Sequence, residues 1–236
     1  MKKILEKGLG IINLKLDEKT MDKLCVYGEF LQKKNKIVNL TSIIDDEGII
    51  EKHFIDSLLL QKYLENYEGV EIKNVIDVGT GAGFPGMVLA IVNPNINFTL
   101  IDSIGKKVEF LKELKEKLGI ENVNIYKTRA EDFIKENREK FDIGVCRAVS
   151  ELRVILEYII PFLKVGGSFL AQKVNYEQEL EEAKNALELL NGEVIKIDKM
   201  RLPFNGENRV VLNIKKTKTT DKRYPRRAGI PVKRPL

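Results

Sequence analysis

The sequence predicts an α/β fold: a mostly parallel sheet that finishes in an antiparallel hairpin, preceded by a helical cap. Three observations predict it. Residues 75–86 read VIDVGTGAGFPG, with four glycines in eight residues after an apolar run, the pattern of a buried strand breaking into a tight turn and then a helix. From Asn74 onward, short apolar runs alternate with amphipathic segments in the βα manner. After Gly192 two strand-like runs flank the turn-rich LPFNGEN with no helix between them, so they pair antiparallel at the sheet edge.

Residues 1–68 read as helical, with Met21, Leu24, Tyr27 and Leu31 at helical spacing and Ile49, Ile50, Phe54, Leu58 and Leu59 forming a second apolar face. Between these faces lies KIVNLTSIIDDEG, where Asn39, Thr41 and the pair Asp45 and Asp46 mark a loop and a helix start. Strands are expected at 74–79, 97–102, 123–127, 141–146 and 168–173, and helices at 85–92, 105–118, 130–138, 150–164 and 176–190. The closing hairpin is expected at 193–200 and 208–216. This divides the chain into a cap (1–68), a Rossmann-like domain (69–216) and a basic C-terminal segment (217–236). Ligands of such a sheet bind at the carboxyl ends of its strands.

Composition narrows the function classes. A hydrophobic fraction of 43% with 32% charged residues is ordinary for a globular chain of 236 residues. No apolar run approaches the roughly 20 residues needed to span a bilayer, and Glu6, Lys7 and Asp17 interrupt any signal-peptide core. A cytoplasmic monomer with no membrane partner is expected. Cys25 and Cys146 are too few for a disulfide framework or a thiolate zinc site, and no metal is expected. From Lys215 to Leu236 there are nine Lys or Arg against the single acid Asp221, so the tail holds more positive charge than the net +5 of the whole chain.

The glycine turn fits two spacings. Gly81, Gly83 and Gly86 match the G-x-G-x-x-G of dinucleotide-binding turns. Gly79, Gly81 and Gly83, with Asp77 two residues earlier, match the D-x-G-x-G-x-G of S-adenosylmethionine-dependent methyltransferases, and Phe84-Pro85 before Gly86 suits a helix start. The second spacing fits better, and a parallel sheet finishing in an antiparallel hairpin resembles the class I methyltransferase fold more than a dehydrogenase. The other strand ends then supply further contacts. Asp102, nineteen residues after Gly83, either accepts hydrogen bonds from ribose hydroxyls or caps the next helix. Ala130 and Glu131 lie where an adenine edge would be read, though an acid there also suits a helix start. Arg147 either clamps a carboxylate or phosphate in the cleft or makes a surface ion pair. Cys146 beside it is a candidate thiolate nucleophile or plain packing. His53, the one histidine, shares a helix face with Asp56 and is a candidate general base or a structural residue. No residue is singled out as catalytic.

Several segments together resemble one family: NLT at 39–41, HFIDSL at 53–58, VIDVGTGAGFPG at 75–86, RAE at 129–131, CRAV at 146–149, and the ending RYPRRAGIPVKRPL. The resemblance is to the bacterial small-subunit (16S) ribosomal RNA guanine-N7 methyltransferase G family, also called the glucose-inhibited division protein B family. It covers nearly the whole chain, and the PRRAGIP ending is its most specific part. It implies an enzyme that uses S-adenosyl-L-methionine to methylate N7 of one guanine in 16S rRNA of the small ribosomal subunit. By position it carries cofactor contacts onto Gly79, Phe84, Ala130, Glu131 and Arg147, with Gly81, Gly83 and Asp102 added from the turn and strand-end reading. Arg223, Arg226 and Arg227 of the tail are expected to neutralise RNA phosphates, Tyr224 to stack on a base, and His53 to face the RNA. The rivals are a methyltransferase of the same fold with another acceptor, a non-catalytic ribosome-binding protein, and a nicotinamide enzyme.

Overall fold

The computed structural model describes residues 1–65, 71–147 and 150–236. The expected cap boundary at 68/69 and the last two residues of the CRAV segment lie outside the described residues. The chain opens with α1 (Lys2–Ile11) and α2 (Glu18–Asn35). The Asp17 carboxylate starts α2 by accepting the Thr20 N–H at 2.9 Å. After a loop, α3 (Asp46–Gly48) runs into a π-helix over Ile49–Ile55, then α4 (Asp56–Leu58) and α5 (Gln61–Glu65). Apolar spacing shows a helix here but cannot show its wider winding, which in proteins concentrates at functional sites.

The alternating part follows: β1 (Asn74–Val78), α6 (Gly86–Val92), β2 (Asn97–Asp102), α7 (Gly105–Leu118), β3 (Val123–Lys127), α8 (Ala130–Asn137), β4 (Phe141–Arg147), α9 (Leu152–Ile159), β5 (Leu163–Lys173), α10 (Glu177–Glu182) and α11 (Lys184–Leu190). The hairpin β6 (Gly192–Arg201) and β7 (Asn208–Lys216) comes next, and α12 (Ile230–Lys233) lies near the end. Two expectations shift. The helix expected over 150–164 closes in a 3-10 turn at Ile160–Phe162, because Pro161 has no N–H for a further α turn, and β5 begins five residues earlier than expected, at Leu163. The helix expected over 176–190 is divided at Ala183.

Among the described residues the strands form one seven-stranded sheet of order β3-β2-β1-β4-β5-β7-β6. β1 to β5 pair in parallel, and β7 lies antiparallel between β5 and β6. Successive side chains of a strand point to opposite faces, so Val75 joins one core cluster and Ile76 and Val78 the other. The first cluster unites the cap with α6 and α7: Leu24, Tyr27, Leu31 and Phe54 pack with Val75, Leu100 and Leu111. The cap and the sheet therefore share one apolar interior. The second cluster sits under α8, α9 and α11. Among the described residues no helix is long and apolar enough to cross a membrane.

The basic tail is docked on the second face. Tyr224 is 5% exposed and belongs to that core, so the ring expected to stack on RNA is not available to it. Arg226, expected to bind phosphate, instead forks onto Glu157 of α9, with Nη2 to Oε2 at 2.6 Å, Nε to Oε1 at 2.9 Å and the backbone N–H to Oε1 at 2.7 Å. The Glu157 carboxylate is 0% exposed, and a charge at that depth persists only when paired and hydrogen-bonded. Removing the partner strands a buried anion. Arg226→Ala should lower unfolding stability by about 3 kcal/mol in urea at neutral pH, and a change below about 1 kcal/mol would show that Glu157 is hydrated without its partner.

Candidate active site

Strand order reverses between β1 and β4, which leave in opposite lateral directions from the middle of the sheet, and this is where parallel sheets open a crevice at their carboxyl ends. The crevice is a cleft of about 490 Å³ lined from the sheet by Gly79, Thr80, Gly81, Ala82 and Phe84 after β1, Asp102 to Ile104 after β2, Thr128 to Glu131 after β3, and Arg147 after β4. Leu40, Thr41 and His53 of the cap close one side, with Lys107 and Tyr158 completing the lining.

The glycine loop is held by two strand-end carboxylates. Asp77 Oδ2 accepts the Thr80 hydroxyl at 2.7 Å and the Gly86 N–H at 2.8 Å, while its Oδ1 is buried without a partner among the described residues. Burial pushes the Asp77 pKa up to about 6. Asp102 Oδ2 accepts the Gly81 N–H at 2.9 Å and Oδ1 accepts Ile104 N–H at 2.8 Å, while α7 itself starts without a side-chain cap, so the expected helix cap is not formed by this carboxylate. It pins the loop and the approach to α7, and each oxygen keeps a lone pair for a hydroxyl of a ligand.

Gly81 and Gly83 both have positive φ, at 62° and 102°, but they serve different neighbours. A Cβ on Gly81 would meet no protein atom nearer than Lys107 Nζ at 3.9 Å, so the missing side chain leaves open room in the cleft. A Cβ on Gly83 would sit 2.5 Å from the Tyr27 hydroxyl and 2.9 Å from Leu111. Gly83, expected at the cofactor, therefore faces the core, where Tyr27 of α2 donates to the Ala82 carbonyl and stacks on Phe84. Gly86 brings α6 against β1 and β2, since a Cβ there would lie 2.4 Å from Leu100.

Ala130 and Glu131 open α8, whose first turn has no side-chain cap, and both residues line the cleft. Glu131 and burial together raise the Tyr158 pKa to about 12, burial being the larger cause. No sequence signal marked Tyr158, which spacing alone places simply on an amphipathic helix. Phe84 is the centre of a stack, with the His53 ring at 4.3 Å, Tyr27 at 5.4 Å and the Arg147 guanidinium 5.2 Å from its centroid.

Arg147 joins the sheet to the cap. Its Nη1 donates to the Lys52 carbonyl at 2.7 Å and to Asp56 Oδ2 at 3.0 Å, and Nη2 to His53 Nδ1 at 3.0 Å. Asp56 is tied in turn to Arg209 of β7 at 3.1 Å and Gln172 of β5. His53 and Asp56, expected to share a helix face, both accept from Arg147. Yet His53 Nε2 is also engaged, with Thr41 Oγ1 at 2.9 Å, so the ring has no nitrogen left to serve as a general base or to bond RNA. Cys146 is buried in the second core and does not line the cleft. Arg223 and Arg227 are exposed but outside the cleft, Arg227 lining a neighbouring groove with Lys222 and Glu131. Among the described residues no three His, Cys, Asp or Glu side chains are grouped to hold a metal ion.

Burial, then the Arg147 charge, pushes the His53 pKa down from 6.5 to about 3. The unfolded chain thus takes up a proton below pH 6.5 that the folded chain refuses until about pH 3, so stability is lost as pH falls through that window. Relative to His53→Asn, the wild-type protein should lose roughly 1.4 kcal/mol more in urea stability for each pH unit between 6 and 4. Equal slopes for the two proteins would mean that the ring titrates as freely folded as unfolded.

Residues 20–208 match the family model described as rRNA small subunit methyltransferase G. The chain is 50% identical over 236 residues to "Ribosomal RNA small subunit methyltransferase G" of Fusobacterium nucleatum, covering 100% of both chains. It is 43% identical to the protein of that name from Acetivibrio thermocellus, covering 100% of this chain and 97% of that one. Among solved structures, a SAM-dependent methyltransferase from Aquifex aeolicus superposes with TM-score 0.54 at 20% identity, over 79% of this chain and 98% of that one. M. jannaschii TYW2 in complex with AdoMet gives 0.53 at 19%, over 68% and 76%. These two likenesses are of fold, the class I methyltransferase sheet. At half identity from end to end, and with the family model running from α2 to the start of β7, the chain belongs to the rRNA small subunit methyltransferase G family.

Proposed function

We propose that this protein is a cytoplasmic enzyme that transfers the methyl group of S-adenosylmethionine to N7 of a guanine in 16S rRNA of the small ribosomal subunit. The residues lining the cleft fit the cofactor: Gly79, Gly81 and Phe84 would leave it room, Asp102 would offer lone pairs to ribose hydroxyls, the uncapped start of α8 at Ala130 and Glu131 would take the adenine, and Arg147 the methionine carboxylate. The open room over Gly81, with Lys107 Nζ at 3.9 Å and the Gly79 carbonyl at 4.0 Å as its near neighbours, is what a close-lying ligand requires. When bound, the sulfonium supplies an electrophilic methyl group.

The observation that carries the choice of acceptor is His53. It is the residue type suited to proton abstraction near neutrality, it stands in the cleft, and both its nitrogens are committed. Guanine N7 has an in-plane lone pair and no proton, so its attack on a methyl group asks for no base and no covalent nucleophile. Alignment is what remains, and holding reactants in line lowers a barrier by roughly 7 to 11 kcal/mol. The stack of His53, Phe84 and Tyr27 beneath a guanidinium gives the cleft floor the rigidity that alignment needs. Phosphate contacts fall to the exposed cations Lys222, Arg223 and Arg227 of the docked tail and to Lys107 and Arg129 at the cleft, giving RNA affinity that weakens steeply with salt.

Undermethylated small subunits and free 16S rRNA, each incubated with methyl-labelled cofactor, provide the test. Label at N7 of a single guanine is expected, and no transfer, or transfer to a ring carbon or a protein, would refute the reading. Cys146→Ser should keep the transfer rate within about fivefold of wild type. A loss above about a hundredfold with cofactor binding intact would require a thiolate intermediate.

A further inference from the structure

The cap side of the cleft carries a hydrogen-bond chain whose direction is fixed by its chemistry. A guanidinium only donates, so Arg147 Nη2–H donates to His53 Nδ1 at 3.0 Å, and Nδ1 is the unprotonated nitrogen of the ring. Burial and the Arg147 charge hold the imidazole neutral, which leaves its one hydrogen on Nε2. Nε2–H therefore donates to Thr41 Oγ1 at 2.9 Å. The same oxygen accepts the Ile43 N–H at 3.1 Å, and both its lone pairs are then in use. The hydroxyl hydrogen of Thr41 is left over at the end of the chain, with no acceptor for it among the described residues. Thr41 lines the cleft beside Leu40, His53, Phe84 and Arg147.

A hydroxyl in isolation is ambivalent, able to donate to a carbonyl or accept from an amine. This one is not, because the two donors behind it leave it a donor only. That matters for a methyl transfer to N7, since guanine and adenine both present an N7 lone pair and the reacting atom itself does not tell them apart. What differs is the adjacent group on the same edge, the O6 acceptor in guanine and the N6 amino donor in adenine.

We propose that the Thr41 hydroxyl donates to O6 of the acceptor guanine and so determines the choice of guanine over adenine, with His53 and Arg147 as the positioning residues that keep it a donor. This rests on the guanine-N7 reading above. An adenine in the same place would set N6–H against O–H with no lone pair between them, and would leave a desolvated donor unpaired on each side.

The test is a cycle of protein and base changes, using 16S rRNA carrying either guanine or 2-aminopurine at the target. The latter keeps N7 and the 2-amino group and lacks O6. In single-turnover transfer on guanine, Thr41→Val should be slower than wild type by about 10- to 100-fold, and Thr41→Ser should recover to within about threefold of wild type. Affinity for S-adenosylmethionine, measured by calorimetry, should be unchanged in both variants. Replacing guanine by 2-aminopurine should slow the wild-type protein by the same factor and Thr41→Val hardly further, as a shared interaction requires. The same non-additivity should appear in equilibrium RNA binding with the demethylated cofactor present. The inference is overturned if Thr41→Val matches wild type on guanine, if Thr41→Ser is as slow as Thr41→Val, or if the two losses multiply. Wild-type protein that leaves guanine N7 unmethylated overturns the function reading and this with it, whereas guanine methylation with independent losses overturns this alone.

Discussion

A loop made of glycines cannot be held by its side chains, so something else has to hold its backbone, and here two carboxylates at neighbouring strand ends do so. Asp77 takes the N–H of Gly86 and Asp102 the N–H of Gly81. The loop is thereby fixed at both ends in a shape only glycine adopts easily, with positive φ at Gly79, Gly81 and Gly83. The parallel register of β1 and β2 pairs Asp77 with Leu100, so Asp102 lies on the same face two residues further along. The sheet thus supplies the geometry, the acids transmit it, and the cleft takes its floor from the result.

The cap is part of the same arrangement. Tyr27 reaches from α2 to the Ala82 carbonyl, and Gly83 gives it room. On the other side the π-helix carries Glu51 and His53, and Asp56 follows at the start of α4, each meeting a different partner. Glu51 accepts the N–H groups of Phe204 and Asn205 at the tip of the β6–β7 hairpin, His53 lies on Phe84, and Asp56 joins Arg147 to Arg209. Ion pairs this deep stabilise only when each charge has its hydrogen bonds, and Asp56 at 3% exposure has them from β4, β5 and β7. One short helical segment therefore ties cap, strand ends and hairpin together, and moving any of them would shift the cleft wall.

Much of this was legible in the residues. The βα alternation placed the strands, and the missing helix after Gly192 placed the antiparallel hairpin, because these follow from local apolar period and chain length. The glycine spacing located the cleft, and Asp102 followed from it. What the residues did not disclose depends on contacts distant in sequence. Gly83 was indistinguishable from Gly81 until Tyr27, from a helix more than fifty residues earlier, was seen against it. Tyr224 and Arg226 read as RNA contacts because cations suit phosphates and an aromatic ring suits an exposed base. The counter-signal, Glu157 on an otherwise apolar stretch of α9, gains meaning only once the tail is folded back on it. The π winding at His53 likewise leaves no mark in apolar spacing.

The central claim is that the cleft over Gly81 holds S-adenosylmethionine. Calorimetric titration of the cofactor into the wild-type protein and into Gly81→Asn measures this directly, because asparagine tolerates the positive φ of 62° at that position and a Cβ there enters the cleft and touches no core atom. One-to-one binding by the wild type, weakened at least about tenfold in a variant that still unfolds cooperatively, is the expected result. Absence of binding heat from the folded wild type, or equal affinity in the two proteins, would contradict it.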